Sequence, residues 1–334
     1  MPKALVQGRI AVQFADLLRK NLDNKWSILV WDPKINTPEE FVPMAREADV
    51  IIGGGIPLAH WPETPNLKMF QIPWAGYDFC SPETMPARIP VCNCFEHEST
   101  IAEYVIGAML EWTIGLREMD RRFRSQGWAG RLPGEFIVHK EIRGRTLGIV
   151  GYGHIGAEVA VRAAAFGMRI IGTRRTPQTE FAPLEWLGTV DKLHDLLSES
   201  DFILIACDLN SETEGLIGPA ELAAIGPNAV IINVSRGRVV QEQPLFNALK
   251  AKTIGGAVLD VWYNHLSAEN PDVWPSNFPF EELDNVILTG HESAASQEQI
   301  ERRWQFVAAN IERAVQNQTL ENFVFEGIQG KTRY

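Results

Sequence analysis

The stretch RTLGIVGYGHIGAEVAVRAAAFG, from Arg145 to Gly167, constrains the fold more than any other part of the chain. An apolar run, Thr146 to Val150, leads directly into Gly151-x-Gly153-x-x-Gly156. An alanine-rich amphipathic segment follows, and then a second apolar run, MRIIGT. Three glycines at this spacing, between a strand and a helix, have separate physical roles. Gly151 permits a tight turn, Gly153 lets backbone N–H groups approach a pyrophosphate, and Gly156 lets the helix pack close to the sheet. Phosphates then lie at the positive end of the helix dipole. The candidate cofactor-binding set here is Gly151, Gly153, His154, Ile155 and Gly156.

The same alternation extends along the whole chain. KALVQG, SILVWD, ADVIIGGG, LKMFQIP and IPVCNC read as strands, separated by amphipathic pieces such as AVQFADLLRKNL and TPEEFVPMAREA. One helix is expected from about Thr100 to Arg124, followed by a Gly- and Trp-rich loop, SQGWAGRLPGEF. The second block supplies the strands TLGIVG, RIIGT, FILIAC, AVIINV, GGAVLD and NVILTG. The long amphipathic segment SQEQIERRWQFVAANIERAVQNQ closes the chain. Strand–helix alternation implies parallel sheets covered by helices. A length of 334 residues exceeds one ordinary core, so two domains are expected. The fold class is α/β, with two doubly wound, Rossmann-like parallel-sheet domains. No sequence repeat relates the two halves.

Charge and composition narrow the partners. A net charge of −11 argues against nucleic acid and anionic membrane, since both repel an acidic surface. No run of about 18 apolar residues is present, and the N-terminal segment lacks the pattern of a signal peptide. Cys80, Cys92, Cys94 and Cys207 are few for this length and read as reduced thiols of a cytoplasmic protein. The most apolar helical stretch, IAEYVIGAMLEWTIGL, carries Glu103 and Glu111 and reads as a helix buried between domains or subunits.

The residue ending the second strand of a dinucleotide unit selects the cofactor. A carboxylate there binds the ribose 2′-hydroxyl of NAD. GTRRTP instead places Arg174 at that point, with Arg175 after it. Guanidinium forks suit a 2′-phosphate, so NADP is favoured over NAD.

NVSRGRVVQEQPLFNALK, Asn233 to Lys250, resembles the signature of the D-isomer-specific 2-hydroxyacid dehydrogenases, in which a strand ends in Asn-x-x-Arg-Gly. WAGYD (Trp74 to Asp78), TIAEY, LNSETEGLI, GAVLDVW and LTGHESAAS are similar to further motifs of that family, in the same order. The resemblance covers nearly the whole chain. It implies a discontinuous substrate domain, 1–99 plus 291–334, around a dinucleotide-binding domain, 100–290. It also implies a homodimer built largely on the 100–124 helix, and a small 2-oxo or 2-hydroxy acid as substrate.

The resemblance assigns roles that chemistry supports. Arg236 ends AVIINV, where a guanidinium fork can hold a carboxylate while polarising the adjacent carbonyl. Ala75 and Gly76 belong to the loop whose N–H groups take the other carboxylate oxygen. Asp260 is expected to position the nicotinamide carboxamide. His291 is the acid/base, because imidazole titrates near neutrality. No metal site is expected.

Four features depart from the family pattern. The glutamate that normally pairs with the catalytic histidine is replaced by His265, which cannot supply negative charge. A nearby acid, Glu292 or Glu269, is a candidate substitute. His97 stands on the substrate side, where formate dehydrogenases of the family have asparagine. Asp208 replaces a usual proline. The segment LSAENPDVWPSNFPFEELD shapes either the substrate pocket or a surface loop. These departures keep two alternatives to an NAD(P)-dependent 2-oxo acid reductase open: a dehydrogenase of an unusual, formate-like hydride donor, and a non-catalytic dinucleotide-sensing protein.

Overall fold

The structure, a computed structural model, describes all residues except 78, 130, 131, 133, 136, 137, 180, 267–269, 271 and 330–334. The chain runs β1 (Lys3–Gln7), α1 (Ala15–Asn21), β2 (Ser27–Trp31), α2 (Pro38–Glu47), β3 (Val50–Ile52), β4 (Met69–Gln71) and β5 (Pro90–Cys92). It continues with α3 (Glu98–Ile114), α4 (Leu116–Gln126), β6 (Thr146–Val150), α5 (His154–Ala165), β7 (Arg169–Thr173), β8 (Trp186–Gly188), α6 (Leu193–Glu199) and β9 (Phe202–Ile205). Then come α7 (Pro219–Ala224), β10 (Val230–Asn233), α8 (Glu242–Lys250), β11 (Gly256–Leu259), β12 (Val286–Leu288), α9 (Gln297–Val315) and β13 (Phe323–Glu326). Two compact units result, one comprising Met1–Glu96 with Ser296–Tyr334, the other His97–Ala295.

The first unit holds a six-stranded sheet in the order β13-β5-β4-β3-β1-β2. Its strands are parallel except β13, which returns from α9 to lie antiparallel to β5 at the edge. Both faces are covered, so the central strands are apolar throughout rather than alternating; Val50, Ile51 and Ile52 are all buried. One face packs against α9, whose Trp304, Val307 and Ile311 are spaced to lie on a single helical stripe and join Val6, Ile52 and Met69 in the core.

The second unit holds seven parallel strands in the order β12-β11-β10-β9-β6-β7-β8. The chain starts in the middle at β6, winds outward through β7 and β8, then crosses back to β9 and winds the other way. The reversal between β6 and β9 is the doubly wound switch point, beside which ligands of such sheets bind. No helix among the described residues is long and apolar enough to cross a membrane. None of the four cysteines forms a disulfide.

Four elements differ from the sequence expectation. The single helix expected over Thr100–Arg124 is broken at Gly115, which adopts a left-handed φ of 68° and ends α3 before α4 begins. The break separates two environments, since α3 is largely buried whereas α4 has no buried residue. The edge strands β8 and β13 are short and were not anticipated. AVQFADLLRKNL opens as a 3-10 turn, Ala11–Phe14, before α1.

Candidate active site and cofactor cradle

The three glycines after β6 are separated by what surrounds them. Gly151 has φ +98°, and a Cβ there would lie 2.5 Å from the Cys207 nitrogen, so neither its conformation nor its space admits a side chain. A Cβ on Gly156 would stand 3.0 Å from both the Gly151 carbonyl oxygen and Ile149 Cγ2, which sets the close approach of α5 to β6. Gly153 is the opposite case. It precedes α5 in extended conformation, is exposed, and a Cβ on it meets nothing within 4 Å. Open space above the first turn of a 12-residue helix is the cradle a pyrophosphate needs, so these residues fit a dinucleotide. His154 is exposed at the first helical position and Ile155 half-buried behind it.

At the end of β7, Arg174 is half-buried and its N–H donates to the Gly188 carbonyl at 3.0 Å. Burial raises the pKa of Tyr152, and the charge of Arg174 opposes that rise, so the guanidinium lies near the cradle's own turn. Arg175 is exposed. Among the described residues, neither arginine pairs with a carboxylate.

The Asn-Val-Ser-Arg-Gly turn after β10 is held by its first residue. Asn233 Oδ1 accepts from the N–H and the hydroxyl of Ser235, and Asn233 Nδ2 donates to the Arg236 carbonyl at 3.1 Å. The Arg236 side chain is half-buried and donates from Nη1 to the Ser235 carbonyl at 2.8 Å. Gly237 is required by contact, since a Cβ there would lie 2.4 Å from the Trp262 carbonyl oxygen.

Asp260 follows β11 and is fully buried. Its Oδ1 accepts from the Thr289 hydroxyl at 2.6 Å and from the Glu292 N–H at 2.8 Å; its Oδ2 accepts from the Ser293 N–H at 3.0 Å. Burial pushes this carboxyl's pKa up, but the bonds from Ser293, Thr289 and Glu292 outweigh it and leave the pKa lowered. The loop so gripped carries His291, a non-glycine residue at φ 63°. His291 is exposed at its surface, yet its pKa is lowered. Desolvation by the surrounding protein is the largest cause, Asp260 opposes it, and Arg236 and His265 add repulsion. Arg236, Asp260 and His265 therefore all act on His291 within a single unit.

A profile of the D-isomer-specific 2-hydroxyacid dehydrogenase NAD-binding domain matches residues 106–293. A glyoxylate reductase of Thermococcus gammatolerans is 32% identical over 320 residues, covering 93% of this chain and 92% of its own length. The chain belongs to the D-isomer-specific 2-hydroxyacid dehydrogenase family of NAD(P)-dependent oxidoreductases. A D-3-phosphoglycerate dehydrogenase of Methanocaldococcus jannaschii is 31% identical over 293 residues, 86% of this chain, but the match spans only 54% of that enzyme. Among solved structures, the NADPH-dependent glyoxylate/hydroxypyruvate reductase of Sinorhizobium meliloti superimposes with a TM-score of 0.74 at 26% identity, over 97% of this chain and 96% of its own. An Aeromonas salmonicida family protein has the same fold, with a TM-score of 0.80 at 23% identity over 97% and 99% of the two chains.

Within this 2-hydroxyacid dehydrogenase, the departures take the following places. His265 is exposed and acts on His291 electrostatically. Glu292 is exposed and reaches Asp260 through its backbone; it is not among the groups that shift His291. Glu269 lies outside the described residues. His97 is buried at the start of α3 and does not contribute to the shift of His291. Among the described residues, no group of three or more His, Cys, Asp or Glu is arranged to hold a metal ion. Asp208 is exposed, with its carbonyl accepting from the Thr213 hydroxyl at 2.5 Å; nothing in the structure explains its replacement of proline. The segment after His265 is anchored through Phe278 and Phe280 against Phe246 and by Asn277 to Glu242, while Trp274 stays exposed.

In the first unit, the turn at Ala75 and Gly76 has its carbonyls tied down. Asn93 Nδ2 donates to the Ala75 carbonyl at 2.8 Å, and the Cys94 N–H donates to that of Trp74 at 3.1 Å. Asn93 is held in its turn by the fully buried pair Gln71 and Asn310: Gln71 Nε2 donates to the Asn93 carbonyl, and Asn310 Nδ2 donates to Gln71 Oε1. No such partner engages the N–H groups of Ala75 and Gly76 among the described residues, which leaves them available to an anion. Sequence reasoning missed Asn93 because an asparagine beside a strand end carries no local signal of what it will hold.

The contrast between the glycines yields a prediction. Gly153→Val should fold with a melting temperature close to the parent's but lose dinucleotide binding, measured by calorimetric titration with NADPH. Gly151→Ala should instead lower stability by about 1–3 kcal/mol in urea denaturation, because the added Cβ meets backbone. A Gly153→Val protein that still binds NADPH normally would displace the cradle from this turn.

Proposed function

We propose that this dehydrogenase reduces a small 2-oxo acid, of the glyoxylate or hydroxypyruvate kind, to a D-2-hydroxy acid, with NADPH as the preferred cofactor and Arg236 and His291 as the central residues. The observation that carries the reading is that a guanidinium and an imidazole, on turns after β10 and β12, stand close enough for one to depress the pKa of the other. An arginine fork holds a carboxylate and polarises the neighbouring carbonyl; an imidazolium beside it protonates the oxygen as it gains negative charge. Bound nicotinamide supplies the hydride. The T. gammatolerans glyoxylate reductase and the S. meliloti glyoxylate/hydroxypyruvate reductase, similar over nearly their whole lengths, support this substrate class.

NADPH preference rests on Arg174 and Arg175, which follow β7 and have no carboxylate partner among the described residues. NADPH should exceed NADH by about tenfold or more in kcat/KM, a difference of about 1.4 kcal/mol, and replacing both arginines by alanine should remove most of it. Equal use of NADH by the unmodified protein would contradict the assignment.

The proton donor gives the pH dependence. Reduction needs the protonated ring, so kcat/KM for reduction should fall as pH rises through a His291 pKa below the ordinary imidazole value; oxidation needs the neutral ring and should persist to lower pH. His265→Glu replaces a repulsive partner with an attractive one and should move the reductive limb upward by about one unit, or about 1.4 kcal/mol. Arg236→Ala should lower kcat/KM by about 10² or more. Near-full activity in His291→Ala would exclude the proton-donor role and favour the formate-like alternative, in which hydride moves without acid/base help.

The partner in solution is a second copy of this chain. Leu116, Phe123, Trp128, Leu132 and Val138 are between 50% and 90% exposed along α4 and the segment after it, apolar side chains that a second copy would remove from water. Sedimentation velocity should show a dimer, and Leu116→Glu with Phe123→Glu should shift it to monomer; a monomeric parent protein would refute the assignment.

A further inference from the structure

His291 lies in a loop that a glycine would adopt more readily, and the structure shows what forces it there. The Thr289 hydroxyl stands 2.7 Å from the Tyr104 hydroxyl and 2.6 Å from Asp260 Oδ1. A carboxylate only accepts, so the single Thr289 proton goes to Asp260; the hydroxyl oxygen of Thr289 is then left to accept, and Tyr104 must be the donor. Tyr104 can fill that role because burial raises its pKa and keeps it protonated. The chain of bonds therefore runs in one direction, from Tyr104 on α3 through Thr289 to Asp260. Thr289 is held at two further points: its carbonyl accepts from Trp262 Nε1 at 2.7 Å, and its N–H donates to the Leu259 carbonyl at 2.9 Å. Beyond Gly290, the N–H groups of Glu292 and Ser293 bond the same carboxylate, so His291 is clamped on both sides.

We propose that Tyr104 and Thr289 are positioning residues for His291, holding its loop in the left-handed conformation against the buried Asp260 carboxylate. Thr289 lies in LTGHESAAS and Tyr104 in TIAEY, but neither hydroxyl is among the groups to which the resemblance assigns a role. The proposal rests on His291 being the proton donor. The groups facing His291 are Asp260 after β11, Arg236 after β10 and His265 beyond β11, with Tyr104 acting from α3 through Thr289 and Glu292 next along the chain. Asp260 is the one attractive charge among the described groups that shift the ring. A loop released from Thr289 changes both the distance from His291 to that charge and the burial that is the largest cause of its lowered pKa, so the pKa leaves its value in the unmodified protein.

The test uses the full chain and two readouts. Histidine NMR titration, with the His291 signal assigned by loss in His291→Gln, needs no substrate. In Thr289→Val the His291 pKa should shift by about half a unit; Thr289→Ser should restore it, and Tyr104→Phe should produce a smaller shift in the same direction. With a 2-oxo acid and NADPH, Thr289→Val should lower kcat by about tenfold while leaving KM within about threefold, and the reductive pH limb should move with the NMR value. Tyr104→Phe carries the test if Thr289→Val fails to fold, since it removes one oxygen from an otherwise unchanged ring. An unmoved His291 pKa in folded Thr289→Val or Tyr104→Phe overturns the proposal, as does a loss of kcat with an unmoved pH limb, which would mark a purely structural role. If the NMR shifts appear but no 2-oxo acid is reduced, the positioning stands and the reductase reading fails.

Discussion

A parallel sheet delivers every one of its strands to the same edge, and in the second unit that constraint assembles the chemistry. Gly151 follows β6, Arg174 follows β7, Cys207 lies beyond β9, Arg236 beyond β10, Asp260 directly after β11, and His291 beyond β12. Each helix returns the chain over a face to the other edge, so the turns at the carboxyl edge have only to pass the chain from strand to helix. Because β10, β11 and β12 are neighbours in the sheet, Arg236, Asp260 and His291 meet despite their separation in sequence. The sheet supplies rigidity at low cost: its central strands are apolar on both faces and buried in two cores, one against α3 and α5, the other against α6, α7 and α8. Groups mounted at the ends of such strands are placed more closely than loops alone could place them.

Among the described residues, the one charged group that this edge buries completely is Asp260. An ionised carboxylate without partners costs several kcal/mol to remove from water, enough to be neutralised or excluded. Here the cost is offset by donors that all come from one short loop. The loop in turn contains a non-glycine left-handed residue, whose strain is on the order of 1–3 kcal/mol. Neither feature is favourable alone. Together they are consistent, because the strained backbone is what brings two successive N–H groups onto the carboxylate, and the carboxylate is what over-determines the strain.

Much of this was legible in the sequence, for identifiable reasons. The glycine spacing, the apolar runs of two buried sheets and the Asn-x-x-Arg-Gly turn are local signals, and each maps onto one strand end. The break at Gly115 was missed because the residues on either side, WTI and LREM, are ordinary helix formers, and one glycine inside such a pattern is commonly tolerated. β8 and β13 were missed because three or four residues at a sheet edge carry almost no period. The sequence also marks Asp260 without showing its neighbours. Its bonds to Thr289, Glu292 and Ser293 join residues about thirty positions away, an arrangement that only the closed sheet creates. The same holds for Asn93 and Asn310, whose amides look like ordinary surface residues until the fold buries them, one donating to the Ala75 carbonyl and the other to Gln71 Oε1.

The replacement of the family glutamate by His265 then has a definite physical meaning. A glutamate would add a second negative charge beside His291; His265 adds repulsion, and Asp260 is left as the opposing charge. The consequence, for the proposed proton donor, is a smaller protonated fraction at neutral pH. The same shift makes each imidazolium a stronger acid, which recovers part of the loss through the Brønsted dependence of proton transfer. Rate therefore falls by less than the population does. The balance between directions stays set by the overall equilibrium constant; for a His291 in the proposed role, what the lowered pKa moves is the pH at which the limb of each direction lies.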